Sequence, residues 1–563
     1  MRIQWRRGAR ILLLALSFQV VVLPALAEPT LSASFGFDHQ LVRYRFAPIV
    51  VTVSGLTEPV TGRLLVRQFV GPDPSAPVTI QQELVAGRIT NGAYPAALPA
   101  YDPILPVVVQ LLDAQGNVIA TASESVRQSA RGLPFRVIAG AVYHVDDTES
   151  IVSVSELPAD WWAYDPVSSL WLAAPLTTRA VWLGLGAWVS AGGSLVLFSG
   201  SDFYQWDSPL ARDLLPLTNP VLRQDGAGVP ILAGSLRAGA QVLLTDGDLP
   251  LLVRLPYGAG TVTLVTQRFH DLAELDLRRI EPRVPTSRRL LSADVLAQDL
   301  LNATPVLRPM YAFAPLIVAA VFAVLLVSRR LAVRSVRVAA FAFVALTAVV
   351  AAGAGCYLNR LGHMAYQYNV SASLHVTTSF ACSSASYAFF SLEPTRVVFP
   401  QEKGTYPAEV HQVPTPKSMY AMTSEMTNTT LDIPPRIRQF LRACDAKGAA
   451  FRVTSDEAAR TIRVDATDDR RPAAAMVFAD GYFRRFPADR LGETLNLDDL
   501  PRLSTSAMSE QEGMIYSSTD AWISSLPGVW FFALSEDSHI AKVGDLPSEV
   551  RIVDIDMVEG VPS

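Results

Sequence analysis

Met310–Ser328 reads MYAFAPLIVAAVFAVLLVS, and Val338–Asn359 reads VAAFAFVALTAVVAAGAGCYLN. Neither run carries a charge, and a helix needs about 20 apolar residues to cross a hydrocarbon core. Between them, residues 329–337 read RRLAVRSVR, which puts Arg329, Arg330, Arg334 and Arg337 in one short turn. Short loops rich in Arg and Lys stay in the cytoplasm. The two runs are therefore expected to be transmembrane helices, 310–328 and 338–359, joined by a cytoplasmic turn. The chain before Pro309 and the chain after Arg360 then lie outside. Pro315 is tolerable near a helix end or beside a second helix. The small residues Ala351 to Gly355 permit close helix approach. No ionisable group sits inside either span, which argues against a proton or ion path.

The N-terminus gives the same orientation independently. Arg2, Arg6, Arg7 and Arg10 precede the apolar run Ile11–Leu23, and Ala25-Leu26-Ala27 is a small-x-small site before Glu28. Residues 1–27 thus read as a secretory signal. An uncleaved anchor is the alternative, and both put residue 28 onward outside the cytoplasm.

With 563 residues the chain has room for several domains. Its formal net charge of -5, with no basic stripe outside the membrane turn, excludes a nucleic-acid partner of the usual electrostatic kind. Three cysteines are present. Cys382 and Cys444 both fall in the expected external C-terminal region, where a disulfide can persist. A Cys382–Cys444 bridge and two buried free thiols are open alternatives, because sequence does not show whether two cysteines meet. No CxxC pair or Cys/His metal spacing occurs, and no cofactor is implied.

Residues 28–131 hold short Val-, Leu- and aromatic-rich runs punctuated by Pro48, Gly55, Pro59, Gly71, Pro72 and Pro74. The runs are 31–37, 41–46, 49–54, 62–69, 77–84, 105–112 and 118–126, with a hairpin-type loop at 113–117. About seven strands in about 100 residues suit an all-β immunoglobulin-like sandwich. Residues 132–272 change character. Phe135–Val142, Val167–Ala174 and Ser194–Ser199 read as buried strands, and 177–191 as a helix stopped by Gly192-Gly193. The later runs 241–245, 251–255 and 261–266 read as hairpin strands. Strand, helix, strand with short loops is the pattern of an α/β domain.

Three segments carry a resemblance: YDPVSSLWLAAP (164–175), WVSAGGSLVLFSGSD (188–202) and YGAGTVTLVTQRF (257–269). They resemble bacterial envelope proteins that have a class I glutamine amidotransferase-like, flavodoxin-like domain between a β-sandwich and membrane helices. The resemblance spans roughly residues 130–360. It implies a flavodoxin-like sheet and an inner-membrane protein with its large domains in the periplasm. Active amidotransferases place a nucleophilic cysteine on a strand-to-helix elbow. This sequence has no cysteine between residues 28 and 355, so the resemblance implies a non-catalytic version, and no catalytic residue is assigned.

In open α/β sheets, ligands bind beyond the carboxyl ends of the strands. That rule makes His144, Asp146, Asp147, Asp202, His270 and Asp271 the cleft candidates for a divalent cation or a sugar, against the plainer reading of solvated loop residues. Ser199-Gly200-Ser201 does not match a hydrolase elbow. Gly258-Ala259-Gly260 lacks the third glycine and helix of a dinucleotide loop. The loop tryptophans Trp161, Trp162 and Trp206 are candidates for an interface with protein or polysaccharide, whereas Trp171, Trp182 and Trp188 fall in elements and read as core.

Residues 273–309 form a juxtamembrane linker with an amphipathic stretch at 292–302. Residues 360–563 read as a second external, β-rich domain, with one short helix at 435–444. The whole is a multidomain membrane protein with no complete catalytic set. The expectation is a non-enzymatic, membrane-anchored scaffold or assembly component of the bacterial envelope, with the lipid bilayer and other envelope or membrane proteins as partners. The alternatives are a polysaccharide-binding accessory subunit, like those of exopolysaccharide synthases, and a hydrolase or metal enzyme using the α/β cleft.

Overall fold

The computed structural model describes residues 29–562 apart from 43–44, 71–77, 101–106, 125–126, 129–134, 142–150, 155, 175–177, 204–207, 227, 272–279, 281–307, 334, 363–364, 377–379, 392–394, 401–405, 408–427, 434–437, 446–449, 457, 468–470, 524–527 and 544–545. The expected signal segment, most of the expected linker, His144, Asp146, Asp147 and Trp206 lie outside the described residues. The architecture is strand-rich and built from several sheets.

The first lobe has two antiparallel sheets. One joins Thr30–Phe35, Arg45–Ser54 and Gly92–Ala100, and the other joins Val78–Ile89, Val60–Val70, Val107–Asp113 and Val118–Glu124. Alternate residues of both, among them Ile49, Val51, Leu64, Val66, Val109 and Leu111, close one apolar core. Arg45–Ser54 runs unbroken through Pro48, where the sequence reads two strands. Pro48 marks the end of the ladder with the first strand: its carbonyl still accepts from the Gly36 N–H at 2.7 Å, but proline has no N–H to return the bond. Gly92–Ala100, with two prolines of its own, is an edge strand that the sequence reading misses for the same reason.

The second lobe is a seven-stranded sheet. Its order is Ile151–Val154, Phe135–Ala139, Val167–Leu172, Ser194–Phe198, Gly260–Val265, Leu249–Tyr257 and Gln241–Asp246. The first five are parallel and the last two return antiparallel. Helix α1 (Arg179–Ser190) connects the third and fourth strands of that order. A short helix α2 (Pro209–Leu214) follows, capped by the Ser208 hydroxyl, which accepts from the Ala211 N–H. The hairpin Leu217–Gln224/Pro230–Leu236 forms a separate ribbon.

Helix α1 shows why the glycine motifs are where they are. The turn after Tyr257 presses onto its C-terminus: the Ala259 N–H donates to the Ser190 carbonyl at 2.7 Å, and the Thr261 N–H to the Gly193 carbonyl at 3.0 Å. A side chain at Gly258 (φ +57°) would come within 2.6 Å of the Ser190 oxygen. The WVSAGG and YGAG segments are thus two halves of one packed junction, and their chemistry is structural.

Two long helices follow, α3 (Arg308–Ala332) and α4 (Val336–Gly362), packed against each other. Arg329 and Arg330 belong to the last turn of α3, where cations suit the helix dipole. Val336–Gly353 is apolar and long enough to cross a membrane, and only 6% of it is buried. A core helix of a soluble domain would bury such a surface.

The third lobe is an eight-stranded sheet in the order Tyr406–Pro407, Arg438–Asp445, Phe380–Ser391, Ala365–Val376, Leu546–Glu559, Trp530–Val543, Ala474–Ala479 and Tyr482–Arg485. Arg438–Asp445 is a strand where the sequence reads a helix. Its Phe, Leu and Cys positions have helical spacing, but the long strand Phe380–Ser391 offers it a full antiparallel ladder. One face of the sheet (Phe531, Ala533, Ala475, Val477, Val558) packs on a four-stranded sheet made of Thr494–Asn496, Thr461–Ala466, Phe451–Asp456 and Val561–Pro562. Helix α5 (Glu510–Ile523) packs against Ala474–Ala479 and Trp530–Val543.

The opposite face of the eight-stranded sheet carries Tyr366, Tyr368, Val370, Ala372, Leu374 and Cys382. These residues belong to the same continuous core as Trp182, Leu185 and Trp188 of α1. Helix α1 therefore lies between a sheet that precedes the long helices and a sheet that follows them. This explains its composition: it is apolar nearly all round, as a helix covered on both sides must be. The first lobe joins the same core through Phe37 and Phe46. The Phe37 ring lies 6.0 Å from those of Phe135 and Tyr164, and the Phe46 N–H donates to the Asp165 carboxylate at 3.3 Å.

Candidate functional site

The parallel strands place the loops that carry Asp202 and His270 next to each other. Ser194–Phe198 and Gly260–Val265 are neighbours in register, Phe198 opposite Val265, so the loops leaving their carboxyl ends run side by side. The Gly200 N–H donates to the Thr266 carbonyl at 3.1 Å. Gly200 takes φ +51°, and a side chain there would meet the Arg268 N–H group at 2.8 Å, so glycine is what allows the two loops to touch. Asp202 sits in the following 3-10 turn, and its carboxylate is 2.7 Å from the Arg268 guanidinium. Its charge is thus met by the chain's own cation. His270 lies on the neighbouring 3-10 turn, Phe269–Asp271, exposed and edge-on to the Phe269 ring. The Asp271 side chain, like His144, Asp146 and Asp147, is outside the described residues. Among the described residues, no group of three His, Cys, Asp or Glu side chains could hold a metal ion.

The tryptophans divide differently from the sequence reading. Trp171, Trp182 and Trp188 are core, each 2% exposed or less. Trp161 is core as well, at 4%, because it opens a 3-10 helix (Trp161–Tyr164) that packs on α1. It is therefore not available as the surface contact expected from its loop position. Trp162 is half-buried, its ring 6.2 Å from that of Trp161.

Cys382 is a free, fully buried thiol, and burial pushes it up to about 12. The register explains why it does not bridge to Cys444. Cys444 lies opposite Ser384, two residues along the ladder from Cys382. A diagonal offset of two puts the Cα atoms beyond the span a disulfide tolerates, roughly 7 Å. Of the two alternatives, the buried thiol is the one found at Cys382.

A concave surface lies in the third lobe, where the sequence reading placed no site. A groove of about 800 Å³ runs between the edge of the four-stranded sheet and the start of α5. Ala473, Ala474 and Ala475 contribute to its lining, and Arg485, Arg490, Asp499 and Glu512 supply its charges. One wall is pre-organised. The Glu512 carboxylate accepts from Arg485 Nε at 2.6 Å and Nη2 at 2.8 Å, and also from the Ser509 N–H at 2.7 Å. The Ser509 hydroxyl accepts in return from the Glu512 N–H at 3.2 Å. This is a capping box that also fixes an arginine. Hydrogen bonding from Arg485 holds the Glu512 carboxyl below the usual range. On another wall, Arg490 Nε donates to Glu493 at 2.7 Å. The signal that could have found this wall is the run Ser509-Glu510-Gln511-Glu512, a Ser-x-x-Glu helix start.

Nearby, Arg484 is 2% exposed and donates through Nη1 to the Leu497 carbonyl at 2.7 Å. The carboxylates of Asp480 and Asp498 lie 3.8 and 3.9 Å from its Nη2, and both are bonded to Arg460. This cluster ties the two sheets of the lobe together.

No protein-family model and no curated protein matches the sequence. Some solved structures resemble part of the chain. The exo-beta-1,4-mannosidase Op5Man5 from Opitutaceae bacterium strain TAV5 is 20% identical over 24% of this chain and 32% of its own, with a TM-score of 0.17, so the match spans about a third of that enzyme. The cytoplasmic protein STM3548 from Salmonella typhimurium is 12% identical over 24% of this chain and 88% of its own, with a TM-score of 0.18. The cytoplasmic protein STM1381 from Salmonella typhimurium LT2 is 12% identical over 24% and 87%, at 0.19. At these scores the likenesses carry no argument about function.

Proposed function

We propose that this chain is a membrane-anchored scaffold or assembly component of the bacterial cell envelope, non-enzymatic, binding other envelope or membrane proteins through its external lobes. The observation that carries the reading is the shared core around α1. Lobes on either side of the long helices pack on the same helix, and lobes that share a core must lie on one side of a membrane. A helical hairpin with both ends on that side follows, with α3 and α4 as its two spans. The basic turn then faces the cytoplasm, and the N-terminal signal brings the lobes into the periplasm of an inner-membrane protein. We read the first lobe as an immunoglobulin-like sandwich. The second we read as flavodoxin-like, supported by its parallel strands, whose chain order across the sheet is second, first, third, fourth, fifth.

Two experiments test this. A reporter active only outside the cytoplasm is expected to be active when fused after Ser563 and silent when inserted at Val333. The reverse pattern overturns the topology. Crosslinking in intact cells, followed by detergent purification and mass spectrometry, is expected to recover a reproducible set of envelope or membrane proteins joined to the external lobes. Recovery of the chain alone, from cells in which the reporters behave as expected, removes the scaffold role and leaves the topology standing.

A further inference from the structure

We propose that the groove of the third lobe binds an extended peptide segment of a partner protein, which adds as a strand to the edge formed by Thr494–Asn496.

The hydrogen-bond register points there. Thr494–Asn496 is an outermost strand of the four-stranded sheet and, among the described residues, pairs only with Thr461–Arg463. In the same register the Leu497 N–H donates to the Arg460 carbonyl at 2.8 Å. Antiparallel pairs alternate between bonded and non-bonded. Leu495 is therefore in the bonded pair with Ile462, and the main-chain N–H and C=O of Thr494 and Asn496 face the other way. All three residues line the groove. Leu495 is 3% exposed and anchors the strand in the core, while the Thr494 and Asn496 side chains are exposed. Four main-chain groups are thus held in strand geometry at the rim of a concave surface, as β-strand addition requires.

The chemistry of the groove selects the occupant. Its formal charges balance, Arg485 and Arg490 against Asp499 and Glu512, so it does not suit a polyanion. Its lining aromatic ring, Phe486, is 2% exposed and offers no stacking platform for a sugar. The run Ala473–Ala475 leaves room for small apolar side chains, and the paired charges offer donors and acceptors to a peptide backbone. The other candidate edge, Tyr482–Arg485, is already covered: the Arg485 N–H donates to the Pro501 carbonyl and the Leu503 N–H to the Phe483 carbonyl, both at 2.9 Å.

That the peptide comes from an envelope protein rests on the scaffold reading; the binding itself does not, and it is measured on the purified full chain in detergent. Random twelve-residue peptides displayed on phage are selected against it, and the selected peptides are synthesised. We expect them to slow hydrogen exchange at the Thr494 and Asn496 amides. Thr494→Pro removes one outward N–H without touching the ladder to Ile462, a change edge strands tolerate. It is expected to weaken binding at least tenfold with the unfolding temperature unchanged. Thr494→Val keeps the N–H and is expected to bind as the parent does. Failure to select any peptide, selected peptides that leave these two amides unprotected, or equal binding to the Thr494→Pro protein each overturns the proposal. Peptide binding that persists when crosslinking in cells recovers no partner removes the scaffold reading and keeps the groove.

Discussion

Gly260→Ala is expected to destabilise the second lobe by about 3 kcal/mol, the upper range for forcing an extra methyl into a packed interior. The added Cβ would overlap the carbonyl oxygens of both Val189 and Gly193. Neither oxygen can move freely. Val189 is in the last turn of α1, where its carbonyl accepts from the Gly192 N–H at 2.9 Å, and the Gly193 carbonyl accepts from the Thr261 N–H. Relief would require the strand Gly260–Val265 to withdraw from the helix end and break its register with Ser194–Phe198. Because α1 is also the surface on which the third lobe packs, the variant should loosen that docking as well. Gly226→Ala is the control. Nothing lies within 4 Å of its added Cβ and its φ is ordinary, so a change within about 0.5 kcal/mol is expected. Urea unfolding of the detergent-solubilised chain, followed by tryptophan fluorescence, reads both, since Trp161, Trp162, Trp171, Trp182 and Trp188 all lie in this lobe. Equal midpoints for the two variants would refute the packed-junction account.

The same junction shows what could be seen in the sequence and what could not. Helix α1, the strands beside it and the Tyr257–Gly260 turn are local features, marked by helical spacing, continuous apolar runs and paired glycines, and they stand where the sequence puts them. The sequence does not say that the two glycine motifs meet, because their contact joins residues about 70 positions apart. The strand Ile151–Val154 and the ribbon Leu217–Gln224/Pro230–Leu236 are short or polar enough to look like loops until a neighbour supplies their hydrogen bonds. The pairing of Ala365–Val376 with Leu546–Glu559 is parallel and long-range, and nothing local fixes it. This is also why the groove goes unread. Its edge strand has three residues, and its fixed arginine is defined by Glu512, which is distant in sequence. Of the cleft candidates, Asp202 closes on Arg268 in a half-buried pair, so its charge is met within the chain.

Stability is expected to fall by about 2 kcal/mol as pH is lowered from 6.5 towards 4, through His375 alone. His375 is buried on the strand Ala365–Val376, and burial lowers its imidazole to about 4 from an ordinary 6.5. In the unfolded chain the ring takes up its proton near pH 6.5. Between these values the unfolded state binds the proton and the folded state does not, so stability present above pH 6.5 is lost as pH falls through the window. A shift of that size corresponds to about 3 kcal/mol. The Asp556 carboxylate, 4.0 Å from Nε2 and itself buried, favours the protonated ring and reduces the loss. Ser373 lies opposite Asp556 in the sheet, and the Ser371 hydroxyl donates to Asp554, so this face of the strand pair is polar although buried. Other carboxylates also titrate near the lower end, and Glu512, held down by Arg485, adds its own loss as pH falls from the ordinary carboxyl range through its depressed value. The His375 contribution is therefore the difference between the parent and His375→Leu, measured by urea unfolding at steps from pH 7.5 to 4.5. The parent should lose stability across pH 6.5 to 5, where carboxylates are still ionised, and the variant should be flat there. Parallel curves would mean that the imidazole is not held neutral, and that Asp556 rather than burial sets its charge.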